Sequence, residues 1–402
     1  MKRLRRFTTY LMEGLFTLSG SMTSLAILLI VVFLFKEGLG LFQSPAVETG
    51  YVLCVNAANT VEKLDSKQIR QIFDSEITDW QELGGSEGEI MLFRFDEIFS
   101  LYSEEELGDD YGLLPLKLGE VVEQHKEILA FLPERYLPAD KVSLKVLLTG
   151  KVLPADFFGG TEWMPTSTPA PQFGTLPLIF GTLWVSVLAI LIALPLGLGV
   201  AIYLSELAGE HMRKLLKPAI ELLAGIPSVV YGFFGLVVFV PLIQRGLNLP
   251  AGETALAGSL ILAIMALPTI ITITEDALRN TPEALREASL ALGATHWQTI
   301  YRVIVPYAAS GISAAVVLGI GRAVGETMAV MMVTGNAAVM PRSLFESVRT
   351  IPATIAAELG EAPAGGTHYQ SLFMLGCILF VITMAISISA EVISRRQRRR
   401  GI

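Results

Sequence analysis

Six runs of almost unbroken apolar residues punctuate the chain, at about 15–35, 175–203, 219–243, 255–273, 308–334 and 371–393. A bilayer core about 30 Å thick takes about 20 helical residues to cross, so each run predicts a membrane span. The pattern changes in 37–172, where polar and charged positions break the apolar ones into short pieces. That stretch is too long for a loop and too polar for lipid, so it predicts a small folded domain, α/β or α+β, inserted between the first two spans. Within it, Asp65-Ser66 can cap a helix whose Ile69, Ile72 and Phe73 share one face, with Trp80 and Leu83 packing beneath. Pro165, Pro169 and Pro171, interleaved with Thr166 and Thr168, predict a stiff linker back to the membrane. The expected organisation is a tail and first span (1–36), the insert (37–172), a core of five spans with a loop at 280–306 (173–394), and a basic tail (395–402).

Composition agrees with an all-α membrane protein, since the 402 residues are 52% hydrophobic and only 17% charged. The net charge of -8 is unevenly spread, with an acidic stretch between about 62 and 110 that makes nucleic acid an unsuitable partner. Basic residues gather at Lys2, Arg3, Arg5 and Arg6, at Arg213, Lys214 and Lys217, and again in 395–400. The excess of basic groups on cytoplasmic loops places all three clusters on one side, which six spans permit. The insert and the loops near 244–254 and 335–370 then face outward, and 274–306 inward. The basic start before an apolar core resembles a cleaved signal. However, no small-residue cleavage site follows and Lys36-Glu37 closes the run, so an uncleaved anchor is expected.

Cys54 and Cys377 fall in the insert and in a span, which precludes a disulfide framework, and His125, His211, His296 and His368 lack ligand spacing. No metal site, catalytic group or bound cofactor is therefore expected. A phosphate-cradling G-x-x-x-x-G-K-[ST] loop is absent as well. Were the chain to use ATP, the nucleotide and its magnesium would sit on another subunit.

The loop between spans four and five carries the clearest local signal. Thr281-Pro282-Glu283 suits a helix start, and Gly293 allows a sharp turn before a second helix with Trp297 and Ile300. Such a short helix at a bend suits insertion into a partner's groove, although a plain surface hairpin has the same pattern. Glu287-Ala288-Ser289, three residues, Gly293, nine residues and Val303-Ile304-Val305-Pro306 resemble the E-A-A loop of the ABC-importer permeases. Ser289, Val303 and Val305 are conservative departures. The resemblance implies that Glu287, Ala288, Ser289, Gly293 and Pro306 couple the spans to an ATPase subunit.

In the fifth span, Arg322 and Glu326 lie four apart in an apolar run. Even low estimates put an isolated mid-membrane arginine at about 2.5–3.5 kcal/mol, so the two should face a bundle interior or a water-filled path. A structural ion pair and a substrate path are both open on these residues alone. Gly321 and Gly325 form a G-x-x-x-G spacing that would admit a close helix neighbour. Longer strings are similar to the phosphate importers: Phe173-Gly-Thr-Leu-Pro-Leu-Ile-Phe-Gly-Thr-Leu183, Ile226-Pro-Ser-Val-Val-Tyr-Gly232, and Gly319-Ile-Gly-Arg-Ala-Val-Gly-Glu-Thr-Met-Ala-Val330 with Gly335-Asn336. The last string looks like the first of that system's two permeases. It implies a substrate path at Arg322, Glu326 and Thr327. The implied partners are a sister permease, a dimer of ATPase subunits and a periplasmic phosphate-binding protein. Residues 55–85 resemble part of those binding proteins, but without their Ser/Thr-Gly phosphate-gripping loop. The insert is accordingly expected to dock or gate, with a structural remnant or a true receptor as alternatives. An importer of sulfate or molybdate and a membrane phosphate sensor are the rival readings for the whole chain.

Overall fold

The structure is a computed structural model describing residues 2–138 and 144–400, without the side chains of 2–11, 109, 390 and 393–400. The terminal basic clusters on which the charge argument partly rests therefore lie outside the described side chains. Among the described residues, six helices are long and apolar enough to cross a membrane, and the chain is a multi-pass membrane protein. It divides into two compact units: residues 1–160, 164–173 and 362–374, and the remainder.

In the first unit, α1 (Lys2–Gly40) leads to a four-stranded mixed sheet. The sheet is formed by β1 (Tyr51–Asn56), β2 (Met91–Arg94), β3 (Ile128–Pro133) and β4 (Leu144–Val146), in the order β2-β3-β1-β4. Strand β1 runs antiparallel to β3 and β4, while β2 and β3 are parallel. All six residues of β3 are buried because the sheet has a core on each face. Alternation sends Leu53, Val55, Leu129 and Phe131 to one core, and Cys54, Ile128, Ala130 and Leu132 to the other. The first core receives α2 (Ser66–Phe73) through Ile69 and Ile72, with Trp80 beneath as expected. Asp65 and Gln68 cap α2 reciprocally, and the Trp80 indole N–H donates to the Glu127 carbonyl at 2.9 Å. The second core receives α3 (Leu114–Gln124) through Leu118, Val121 and Val122.

The second unit is built around one long helix, Ala255–Arg279, with further helices in and beside it. In chain order its helices are α4 (Leu176–Ile202), α5 (Glu210–Gly225), α6 (Ser228–Phe234), α7 (Val240–Gly246), α8 (Ala255–Arg279), α9 (Glu283–Ala291), α10 (His296–Thr299), α11 (Val305–Gly325), α12 (Met328–Val333) and α13 (Ile351–Glu358). The final helix, α14 (Thr367–Arg400), begins in the first unit and ends in the second.

Small residues let α4 and α11 approach α8 closely. Ile270 of α8 fits between Gly197 and Gly319, where an added Cβ would come within 2.8 and 2.9 Å of its side chain. Overfilling such a site costs about 1–3 kcal/mol. Within this chain, the close approach to Ile270 thus rests on Gly197 and Gly319. An added Cβ at Gly321 or Gly325 meets nothing within 4 Å, which leaves that face of α11 open.

Two predicted spans are interrupted. The 219–243 run is not one helix, because Ile226-Pro227 has extended dihedrals and separates α5 from α6. Helix α5 has no fully buried residue, and the crossing segment runs from Ser228 to Gly246. Proline disfavours helical backbone in the residue before it, which accounts for the break. The 308–334 run breaks at Glu326-Thr327, with consequences for the site.

Candidate functional site

Glu326 has extended backbone (φ -70°, ψ 134°) between the end of α11 and the start of α12. Breaking a helix frees backbone donors and acceptors, and nearby side chains serve some of them here. The Ala329 N–H donates to Glu326 Oε1 at 3.5 Å, and the Thr327 hydroxyl donates to the Gly325 carbonyl at 3.3 Å. Because the break swings Glu326 off the i+4 position, no ion pair joins it to Arg322 among the described residues. Arg322 instead donates to the Thr269 hydroxyl of α8 at 3.2 Å. Of the two readings left open by the sequence, the direct Arg322–Glu326 ion pair is not formed among the described residues. Both remain half-buried, as does Thr327. Non-helical backbone at membrane depth is tolerated where protein buries it or where it borders a water-filled cavity.

The broken segment is held from two sides. At Gly232 of α6, an added Cβ would lie 2.9 Å from the Ala329 Cα and 2.8 Å from the Met332 sulfur. Thus the Ile226–Gly232 string packs against the end of the Gly319–Val330 string. Beyond α12 the chain reverses through Gly335 (φ 76°) and Asn336 (φ 54°). The Asn336 side-chain amide donates to the Met331 carbonyl at 2.7 Å. Arg349 donates to the Asn336 carbonyl at 3.1 Å and to Glu358 at 2.6 Å, and the Trp163 indole donates to the same carboxylate at 3.0 Å. Arg349, Glu358 and Trp163 escaped the sequence reading, because Arg349 and Glu358 stand nine residues apart and Trp163 far from both, so that no local spacing links them.

At the loop between spans four and five, α9 stands exposed and Gly293 turns the chain with φ 84°. Leu292 is 89% exposed and Trp297 60% exposed, so the bend presents apolar tips. Glu287 lies on this exposed helix beside Ala288, and the Ser289 hydroxyl sits 2.9 Å from that of Thr299, tying α9 to α10. A one-turn π segment (Ile300–Ile304) then carries α10 into α11 without a break, and Pro306 follows after Val305.

Beneath this bend lie two buried carboxylates that the sequence reading did not single out. Glu206, on the π segment ending α4, is 3.0 Å from Arg286 of α9. Glu275 of α8 is surrounded by Lys217 at 3.1 Å, Arg279 at 3.6 Å and Arg213 at 3.9 Å. Arg213 also donates to the Leu204 carbonyl at 2.6 Å. Only the i+4 spacing of Glu275 and Arg279 was available as a sequence signal.

Among described residues no group of three or more metal-ligating side chains converges. The arrangement offers a broken helix with a half-buried cation in the turn before the break and a half-buried anion within it. It also offers an exposed apolar bend braced on buried charge.

The chain is 43% identical over 255 residues to a probable ABC transporter permease, YqgH, of Bacillus subtilis (strain 168), covering 63% of this chain and 82% of that one. It is 43% identical over 265 residues to the phosphate transport system permease protein PstC of Mesorhizobium japonicum, covering 61% and 80%. Among solved structures, it resembles an inward-facing MetNI methionine ABC transporter at 21% identity and TM-score 0.44, over 55% of this chain and 94% of that one. The family model for binding-protein-dependent transport system inner membrane components matches residues 193–399. Taken with the relatives, that match means the chain belongs to this family, the membrane permease subunits of ABC transporters.

Proposed function

We propose that the chain is a PstC-type subunit that moves inorganic phosphate inward across the bacterial cytoplasmic membrane, driven by ATP hydrolysis on partner subunits. The observation that carries this reading is its 43% identity to a phosphate permease over a stretch long enough to hold most of the second unit. The exposed bend at Leu292 and Gly293 supports it, since apolar tips on a braced helix suit a groove on an ATPase. The chain would pair with a PstA-like permease, through the open Gly321 and Gly325 face, and with a PstB-like ATPase dimer. A PstS-like periplasmic protein would deliver phosphate. ATP and magnesium belong to the ATPase, and this chain binds no cofactor. Arg322, Glu326 and Thr327 border the phosphate path. Arginine suits this role because its planar fork of donors matches a phosphate, while a carboxylate accepts from a protonated one.

The direct measurement is labelled-phosphate uptake in cells lacking other phosphate importers, supplied with this chain and its partner subunits. Restored, ATP-dependent uptake of phosphate is the expected result, whereas uptake of sulfate or molybdate in its place would overturn the substrate assignment. Exchanging 44–165 for a short linker gives the third arm. Loss of uptake fits a docking or gating insert, and full retention would reduce it to a remnant.

The distribution of basic residues supports an orientation with both termini and the 280–306 loop in the cytoplasm and the insert in the periplasm. Cys54 and Cys377 are buried, so cysteines introduced at the exposed Ser86 and Thr295 should dominate labelling by an impermeant thiol reagent. Ser86→Cys is expected to react from outside and Thr295→Cys only from inside. Same-side reaction would sink this topology.

A further inference from the structure

We infer that Glu206 and Arg286 form the strut that carries movement of the exposed bend into span two, an inference that rests on the ATPase-coupling role proposed above. The Glu206 side chain is 2% exposed, although Glu206 closes a span beside the membrane surface. A carboxylate is withdrawn from water only where charge partners and hydrogen bonds replace its hydration. Arg286 supplies the charge at 3.0 Å and the Ser205 hydroxyl donates to the same carboxylate at 2.6 Å.

The source of Arg286 sets this pair apart from the neighbouring Glu275 cluster. The cations around Glu275 come from α5 and from α8 itself, whereas Arg286 projects from α9, the helix that the proposed function places against the ATPase. One guanidinium therefore holds two spans at once. Besides meeting Glu206 at the end of α4, it donates to the Leu278 carbonyl at 3.0 Å, in the last turn of α8, where carbonyls lack helical partners. The far side of the bend converges on the same residue, because a ring nitrogen of His296 on α10 lies 3.2 Å from the Glu206 carbonyl. The π segment of Tyr203–Leu207 gives α4 a locally rearranged turn at the point where the load would enter.

A displacement of α9 cannot leave α4 behind without stranding a buried carboxylate. Conversely, a bend freed from Glu206 could follow the ATPase without moving the span. The pair would thus act as positioning residues for transport and would contact neither phosphate nor nucleotide.

The test uses the complete transporter reconstituted in liposomes, with ATP hydrolysis and labelled-phosphate uptake measured on the same preparation. Glu206→Gln and Arg286→Met are expected to co-purify with the ATPase and to hydrolyse ATP. Phosphate moved per ATP should fall about tenfold, within the span of ordinary coupling free energies. Arg286→Lys, which keeps the charge, should recover part of that ratio. An unchanged ratio, whether both activities persist or fall together, would overturn the strut. Failure of all three variants to assemble would also overturn it, since the pair would then be a folding element. If the wild-type transporter hydrolyses ATP without moving phosphate, the substrate reading fails and not the strut.

Discussion

Replacing Arg322 with methionine and Glu326 with leucine together is expected to leave a chain that reaches the membrane and assembles, yet takes up phosphate at less than about one hundredth of the normal rate, roughly the loss of two 1.4 kcal/mol factors of ten. Were the residues a structural ion pair, removing both would also remove their desolvation cost and would be tolerated. The structure gives each a separate engagement. Arg322 bonds to Thr269 across the helix interface, and Glu326 accepts from the first turn of α12 across the break. Two half-buried charges with no mutual pairing, held at a discontinuity between helices, are costly unless the path itself requires them. Arg322→Lys keeps the charge but loses the guanidinium fork, so uptake should fall by about tenfold. Glu326→Gln retains an acceptor for the Ala329 N–H, so loss of uptake there would assign the requirement to charge or proton handling. Uptake is to be normalised to membrane abundance. Near-normal uptake by the double variant would place the phosphate path elsewhere.

The second large effect is expected from Gly293→Pro, which should abolish ATP-driven uptake while leaving the protein in the membrane. Gly293 has φ 84°, whereas proline is held near -65°, and the Gly293 N–H that donates to the Leu290 carbonyl at 2.9 Å would be lost. The turn must then re-form, carrying Leu292 and Trp297 away from their present positions. An added Cβ at Gly293 meets nothing within 4 Å. Gly293→Ala therefore isolates the backbone cost of the left-handed conformation, about 1–2 kcal/mol, and should impair uptake less than proline does. The informative quantity is ATP-dependent uptake alongside recovery of the ATPase with the chain. Normal uptake by Gly293→Pro would remove the bend from the coupling pathway.

The spans and the insert were legible because they depend on solvent, and solvent preference is written residue by residue. A run such as 255–273 is apolar all round because α8 buries most of its surface on neighbouring helices and the remaining face suits lipid, whereas 37–172 carries polar positions around its buried cores, as a water-facing surface requires. The capped helix at Ser66–Phe73 and the turn at Gly293 were legible for a second reason. Each is decided within a few neighbouring residues, by an Asp side chain reaching the third N–H or by a glycine accepting positive φ. Hydropathy alone joined 219–243 and 308–334 into spans, since apolar residues continue through both breaks. Pro227 marked the first break, but no proline or polar run marks Glu326-Thr327.

What the amino-acid order determined by itself is the membrane solvent, the number of apolar crossings, the position of the insert and the local chemistry of the bend. Only the tertiary structure decided which charges meet. Glu206 finds Arg286 eighty residues along the chain, Lys217 finds Glu275 across fifty-eight, and Arg322 finds Thr269 across fifty-three. Burial makes such partners necessary, but a buried charge can be satisfied by any segment the fold brings near. That choice depends on helix packing, set here by Ile270 between Gly197 and Gly319, which no local pattern around either charge encodes.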